Sequence, residues 1–335
     1  MESAKRRYIT ASLSIPAEVQ CEYAGVPQGE YYTDLEKMIL VCQTYPTRFA
    51  EATGYYPPCT YAPPVLAYEG VAALGGDLVF PADHQPMIRN QGRVLLTPEQ
   101  VDALQVPDPW QNARFRQHVA WWQELQERFP GQAGGSLAGQ EGPITTAGLL
   151  RGQAFFMDCL LDPPRAHRLL DICTETFIRW HRASDEVTGA KRETVGIADD
   201  YAGMIRPSMW PEFVLPYYTR IIAALGPQGC HLHTELVRRE HLPLLRGLPL
   251  RSINFSEDQY LRPEDVFELL PGVPFSWHIL TVSEMQQGTP ESIRRRFHEI
   301  VATGVNDVRC ELTVNTPPEN VRAFLAVARE LGELR

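Results

Sequence analysis

Strand-like and helix-like segments alternate along most of this chain, and this alternation limits the possible folds more than any other feature. Short apolar runs typical of strands cover residues 77–82, 134–145, 193–203, 229–235, 250–258, 273–279 and 306–312. Amphipathic spacing predicts helices between them, and residues 97–100 and 316–319 match the capping box that starts a helix. Seven or eight β-then-α units over roughly 250–270 residues are what a (β/α)8 barrel requires. We therefore predict an α/β fold with a single TIM barrel. A doubly wound sheet is the alternative, although no Gly-x-Gly-x-x-Gly follows a strand.

The N-terminal part of the chain does not show this alternation. It is rich in Tyr, Pro and Gly and contains one helical segment near residues 34–49. We predict an irregular N-terminal extension or lid at residues 1–64 and a TIM-barrel catalytic domain at residues 65–335.

Composition excludes several classes of protein. The 335 residues carry a net charge of −10, which argues against nucleic acid as a partner. No apolar run approaches the roughly 20 residues of a membrane span, and the N-terminus lacks the apolar core of a secretory signal. Seven cysteines without any Cys-x-x-Cys pair indicate reduced thiols, so we expect a cytoplasmic protein without membrane or nucleic-acid partners. The oligomeric state is not predictable from these features.

One strand-like segment brings metal-binding residue types together. Side chains in a strand alternate between faces, so His231, His233 and Glu235 share one face if residues 229–235 are a strand. Two imidazoles and a carboxylate can form part of a metal site, although such histidines are also common as hydrogen-bonded core residues. In a barrel, the chemistry collects where strands end, and the candidates there are Asp83, His84, Asp200, Tyr201, Glu235, His278 and Cys310. The remaining histidines lie on helix-like stretches and are predicted at the surface: His118, His167, His181, His241 and His298.

Several short motifs in sequence resemble one enzyme superfamily. They occupy residues 142–145, 151–152, 199–203, 213–217, 231–233, 288–291 and 316–321. In this order, over residues 65–332, they resemble the uroporphyrinogen decarboxylase superfamily. That superfamily also contains zinc-dependent, corrinoid-linked methyltransferases such as methylcobalamin:coenzyme M methyltransferase. The resemblance implies a distorted TIM barrel with its site at the carboxyl ends of the strands.

The resemblance also implies a ligand set for zinc. The methyltransferases have a cysteine six residues before the Thr-Pro-x-Glu-Asn motif, where this chain has Cys310, and a His-x-Cys pair that matches His231 and His233. The implied Zn²⁺ ligands are therefore His231, His233 and Cys310. Water, a substrate thiol or Glu235 would take the fourth position. His84 or His278 could be additional ligands or support the site, in which case iron or manganese becomes plausible.

The functional prediction follows the methyltransferase branch. A zinc or other divalent ion would activate a thiol-type small-molecule acceptor, and a methylcorrinoid, carried by a docked corrinoid protein, would be a possible methyl donor. Asp83, Asp200, Tyr201 and Glu235 are the predicted catalytic residues. One alternative is a lyase that decarboxylates a tetrapyrrole-like substrate, with Asp83 stabilising the intermediate and no metal required. The other alternative is a metal-hydroxide enzyme or a binding protein that keeps the fold.

Overall fold

A parallel sheet with helices packed around it forms the centre of the molecule. The structure is a computed structural model that describes residues 9–89, 96–257 and 260–334. In these residues the strands are β1 Ile9–Ser14, β2 Leu78–Val79, β3 Met87–Ile88, β4 Val195–Ala198, β5 Cys230–His233, β6 Leu250–Asn254, β7 Phe275–Ile279, β8 Asp307–Glu311 and β9 Gly332–Leu334. Seven of them form one sheet in the order β4-β5-β6-β7-β8-β1-β9, and every pair in it is parallel. The sheet confirms the predicted α/β class and is compatible with a TIM barrel.

The helices connect the strands, as a parallel sheet requires. They are α1 Ala17–Ala24, α2 Gln28–Thr33, α3 Leu35–Thr53, α4 Glu69–Ala73, α5 Pro98–Ala103, α6 Ala113–Arg128, α7 Pro143–Arg151, α8 Gln153–Leu161, α9 Pro163–Thr188, α10 Trp210–Phe213, α11 Leu215–Leu225, α12 Pro263–Leu269, α13 Pro290–Ala302 and α14 Pro318–Leu331. Local chemistry sets several of their starts. Thr97 and Gln100 form the predicted capping box of α5, and Pro98 occupies its first position. The box predicted at residues 316–319 does not form, because Thr316 hydrogen-bonds back to Thr313 and Pro317 precedes the helix.

Five of the predicted strands lie in the central sheet, at β4 to β8, and two do not. Residues 77–82 contain only β2, which pairs antiparallel with β3 in a separate two-stranded sheet. Residues 134–145 contain an isolated bridge at Gln140 and the start of α7. The predicted strand at 250–258 ends at Asn254, and residue 258 lies outside the described residues.

The N-terminal segment is more regular than the sequence indicated. It contains β1 and the helices α1, α2 and α3, and β1 lies between β8 and β9 within the central sheet. The expectation of an irregular segment is therefore corrected for residues 9–53, because sheet pairing over a sequence separation of about 300 residues gives no local signal. A lid role for residues up to 64 stays a prediction.

The two faces of the central sheet differ in polarity. One face lines a cavity of about 850 Å³, and we call it the inner face. Its residues are small or polar: Thr10, Gly196, Ala198, His231, His233, Ser252, Asn254, Ser276, Asp307 and Arg309. The alternate positions carry buried core residues: Val195, Ile197, Leu232, Ile253, Val308 and Cys310. A TIM barrel usually fills its interior with branched apolar side chains, so the inner face of this sheet is unusually polar.

A search for membrane spans gave a negative result. No helix in the described parts of the chain combines the length and the apolar character that crossing a bilayer requires.

Candidate metal centre

Hydrogen bonds at the carboxyl ends of β4 and β5 fix the backbone of the site. The register pairs Ala198 with His233, so the residues after both strands emerge side by side. The Asp199 N–H donates to the carbonyl oxygen of His233 at 2.9 Å. The Thr234 hydroxyl donates to the carbonyl oxygen of Asp199 at 3.0 Å. These bonds hold the two loops that carry Asp200 and Glu235.

Close backbone contact brings the same two loops together further along. A Cβ atom at Gly203 would lie 2.3 Å from the carbonyl carbon of Leu236 and 2.4 Å from the carbonyl oxygen of Glu235. Only glycine allows this approach. Leu236 itself has a φ of 58°, a conformation that a leucine adopts only where the surrounding structure holds it.

The result is a compact group of three possible metal ligands. One ligand atom each from Asp200, His233 and Glu235 lies within 4.8 Å of the other two. Asp200 Oδ1 is buried and forms an ion pair with His233 Nε2 at 3.1 Å, and it has no hydrogen-bond partner among the described residues. A buried carboxylate oxygen without a donor is rare in proteins, and a cation would satisfy it. An imidazole with two carboxylates is a ligand set that suits zinc, manganese or iron.

The surrounding charge also favours a cation. Burial opposes a charge on His233, but Asp200, Glu235 and Glu311 outweigh this effect and raise the pKa of the imidazole. His233 thus lies among carboxylates that stabilise a positive charge at this point. A divalent ion that replaces the proton of His233 would supply two positive charges where the protonated imidazole supplies one.

Glu141 adds a further carboxyl group beside this cluster. Burial, and then the charges of Asp200, Asp199 and Glu235, raise the pKa of Glu141 well above its usual value. Its Oε2 atom is buried without a hydrogen-bond partner. The carboxyl group of Glu141 is therefore harder to ionise than that of an ordinary glutamate.

The neighbouring acid, Asp199, has a structural role. Its carboxylate accepts hydrogen bonds from the N–H of Ile144 (3.2 Å), the N–H of Thr145 (2.7 Å) and the hydroxyl of Thr145 (2.8 Å). It therefore binds the free N–H groups at the start of α7. Tyr201 donates its N–H to the same Thr145 hydroxyl, and its ring packs against Gly148, where a Cβ would lie 2.6 Å from the ring.

Two of the three predicted zinc ligands lie outside the cluster. In the described part of the chain, Asp200, His233 and Glu235 form the only group of three whose ligand atoms come this close. Cys310 is 1% exposed and follows Arg309, an inner-face residue, so the strand alternation directs it to the apolar side. Its register partners there are Leu13 and Ile279. His231 is on the inner face, but its Nδ1 is 2.8 Å from the Ser252 hydroxyl. The set implied by the resemblance, His231, His233 and Cys310, stays a prediction, and the described geometry favours Asp200, His233 and Glu235 instead.

The other predicted residues are distributed unevenly around the site. His278 lies near His233 and Arg309, and burial followed by these two charges lowers its pKa to about 4. Its Nε2 is buried without a hydrogen-bond partner, which suits support of the cluster or a fourth ligand. Asp83 and His84 are exposed on the turn between β2 and β3, where His84 Nδ1 contacts the carbonyl oxygen of Gln85. Neither belongs to the cluster or the cavity wall, and their roles stay predictions.

Comparison with known families identifies the chain's relatives. The family model for uroporphyrinogen decarboxylase (URO-D) matches residues 68–331. The chain belongs to the URO-D family. The fold agrees, since the chain is similar to a methyltransferase from Methanosarcina mazei with a TM-score of 0.70 and 19% identity. That similarity covers 98% of this chain and 95% of the M. mazei chain. No curated protein matches the chain.

Proposed function

We propose that this URO-D family member is a divalent-metal-dependent methyltransferase. The metal, for which zinc is the first candidate, would be held by Asp200, His233 and Glu235. The observation that carries this proposal is their convergence within 4.8 Å around the buried Asp200 Oδ1, which pairs with His233 but accepts no hydrogen bond from the described residues. The name of the structurally similar M. mazei protein supports the choice of methyl transfer within the family.

Charge supports this ligand set over a random acidic cluster. The methyltransferases that this sequence resembles hold zinc with one imidazole and two thiolates, and these ligands together carry two negative charges. Asp200 and Glu235 supply the same two charges through oxygen, and His233 supplies the imidazole. The centre therefore keeps the net charge of the sulfur site while its ligands donate electrons less strongly. A bound divalent cation would supply Lewis-acid chemistry that lowers the pKa of a coordinated thiol or water.

The remaining residues would position the acceptor and handle its proton. We propose a small-molecule thiol as the acceptor and a methylcorrinoid, presented by a corrinoid protein at the carboxyl ends of the strands, as the donor. In such a transfer the acceptor would lose its proton, its sulfur would form the new bond to the methyl carbon, and the corrinoid would keep the electron pair of the broken cobalt–carbon bond. Glu141 would accept this proton as a carboxylate at Oε2, and its raised pKa would make it a stronger base than an ordinary glutamate. Tyr201 and His278 would fix the walls of the site.

Metal content tests the proposal directly. The protein, produced without a histidine tag, should contain about one zinc or other divalent ion per chain by elemental analysis. Asp200→Asn and His233→Gln should lose it, whereas His231→Gln should retain it as the matched control from the same strand. Thiol-dependent demethylation of methylcobalamin, followed by absorbance, should be lost in the same two variants.

Other results would point to the alternative functions. A fully active protein without metal would refute the metal proposal and favour a metal-independent lyase acting on a carboxylated substrate. A metal that is present but activates water rather than a thiol would favour a metal-hydroxide enzyme.

A further inference from the structure

The polar cavity inside the sheet extends well beyond the metal cluster. It reaches from His233, at the carboxyl end of β5, to Thr10, Pro274 and Asn306, at the amino ends of β1, β7 and β8. Of the three cluster residues, only His233 lines it. Its volume of about 850 Å³ lies within the range of small-molecule binding sites. It is therefore large enough for a ligand of its own.

Several polar atoms of the cavity wall have no partner within the protein. They are Gln140 Nε2, Ser276 Oγ, Asp307 Oδ1 and Arg309 Nε, and all of them are buried. Ser276 is only 2% exposed and Gln140 only 9% exposed. Buried polar atoms in proteins almost always have a hydrogen-bond partner, so the cavity is built to be filled by something polar.

The charges of the wall restrict what this occupant is. Arg309 and Asp307 lie two residues apart on the inner face, and one guanidinium nitrogen is 3.2 Å from Asp307 Oδ2. Each side chain still has one unpaired atom, a donor on Arg309 and an acceptor on Asp307. Burial lowers the pKa of both His181, on the cavity wall, and nearby His278 to about 4, so both are neutral at pH 7. A ligand with one positive and one negative group would match this pair.

We propose that the cavity binds a small zwitterion of the amino-acid type. Its carboxylate accepts a hydrogen bond from Arg309 Nε, and its ammonium group donates to Asp307 Oδ1. The hydroxyl of Ser276 and the amide of Gln140 provide contacts for the polar remainder of the molecule. This binding goes beyond the proposed methyl transfer and does not depend on it, because none of these four residues belongs to the metal cluster.

Isothermal titration of the chelator-treated protein tests this site separately from the metal. The probes are glycine, L-serine and 4-aminobutyrate, each compared with the acid that has a hydroxyl in place of the amino group: glycolate, glycerate and 4-hydroxybutyrate. We expect at least one amino acid to bind about tenfold or more tightly than its hydroxy acid, since its ammonium group forms an ion pair with Asp307 that a neutral hydroxyl cannot form. Asp307→Asn should remove this difference, whereas Arg309→Gln should weaken both members of the pair. Arg294→Gln, on the exposed side of α13, is the matched control and should bind as the wild type.

Two results would overturn the zwitterion site. One is that no amino acid binds more tightly than its hydroxy acid. The other is that Asp307→Asn and Arg309→Gln, shown to be folded by circular dichroism, keep the wild-type preference. Neither result bears on metal content, so this inference and the proposed function can fail independently.

Discussion

The contact between Gly203 and the loop after β5 gives the sharpest test of how the metal cluster is assembled. A Cβ at this position would lie 2.3 Å from the Leu236 carbonyl carbon, and real Cβ contacts begin beyond 3.0 Å. Gly203→Ala must therefore move the loop by about 0.7 Å or more, against backbone rather than a flexible side chain. This shift separates Glu235 from Asp200, whose loop carries Gly203.

The expected effect on metal binding is larger than the effect on stability. Metal–ligand distances tolerate changes of only about 0.2 Å, so a shift of this size should weaken binding by roughly 10- to 100-fold. The free energy of unfolding should fall by about 1–3 kcal/mol, as is typical of an overpacked contact. The affinity is measured by competition with a chromophoric chelator, and the stability by urea denaturation.

Gly247→Ala is the matched control for this substitution. A Cβ at Gly247 meets no atom within 4 Å, so this variant should bind metal as the wild type does. If Gly203→Ala bound metal within about twofold of the wild type while remaining folded, the two loops would not hold the ligands, and the assignment of Asp200 and Glu235 would be refuted.

Three further outcomes are expected. Cys310→Ala should keep its metal and lose about 1 kcal/mol of stability, since it removes one buried sulfur from the core. Loss of the metal would instead favour His231, His233 and Cys310 as the ligands. Asp199→Ala should lower the free energy of unfolding in urea by about 2 kcal/mol or more, because α7 loses the acceptor for its N-terminal N–H groups. Asp199→Asn should lower it less, and equal effects of the two variants would show that these hydrogen bonds do not matter. Burial lowers the pKa of His118 to about 3 and of His181 to about 4. Between pH 6.5 and 4, therefore, only the unfolded chain binds a proton at these two histidines, and the free energy of unfolding should fall as the pH falls through this window. The slope should approach about 1.4 kcal/mol per pH unit for each histidine, and His181→Gln should reduce it, which equilibrium unfolding at several pH values can check.

The burial of three histidines corrects one prediction from the sequence. His118, His181 and His241 were expected at the surface, but all three are buried. Each of these histidines lies in a helical stretch, and the adjacent sequence does not indicate which face of that helix packs against the rest of the protein. His181 is held by the carbonyl oxygen of Phe177 and stacks on the ring of that residue, so its environment depends on packing around α9.

Local pattern was enough to predict β4 to β8 and most of the longer helices, whereas the face expected to be shared by His231, His233 and Glu235 does not extend past His233, where β5 ends. It also placed Asp200 and Glu235 among the chemically important residues, since each follows a strand. The same alternation, applied to residues 306–312, would have grouped Cys310 with Val308 and Leu312 and would have pointed to Asp307 and Arg309. The family resemblance implies Cys310 as a ligand, and that role stays a prediction.

The sequence by itself determined which side of each strand is polar, because side chains in a strand alternate with a period of two residues. Only the tertiary structure decided which of these polar residues meet. β1 joins the sheet through pairing with β8, almost 300 residues away, and Gly203 must pass within contact distance of Leu236 before Asp200 can face Glu235. Such contacts depend on long-range register and backbone approach, for which no short stretch of sequence carries a signal.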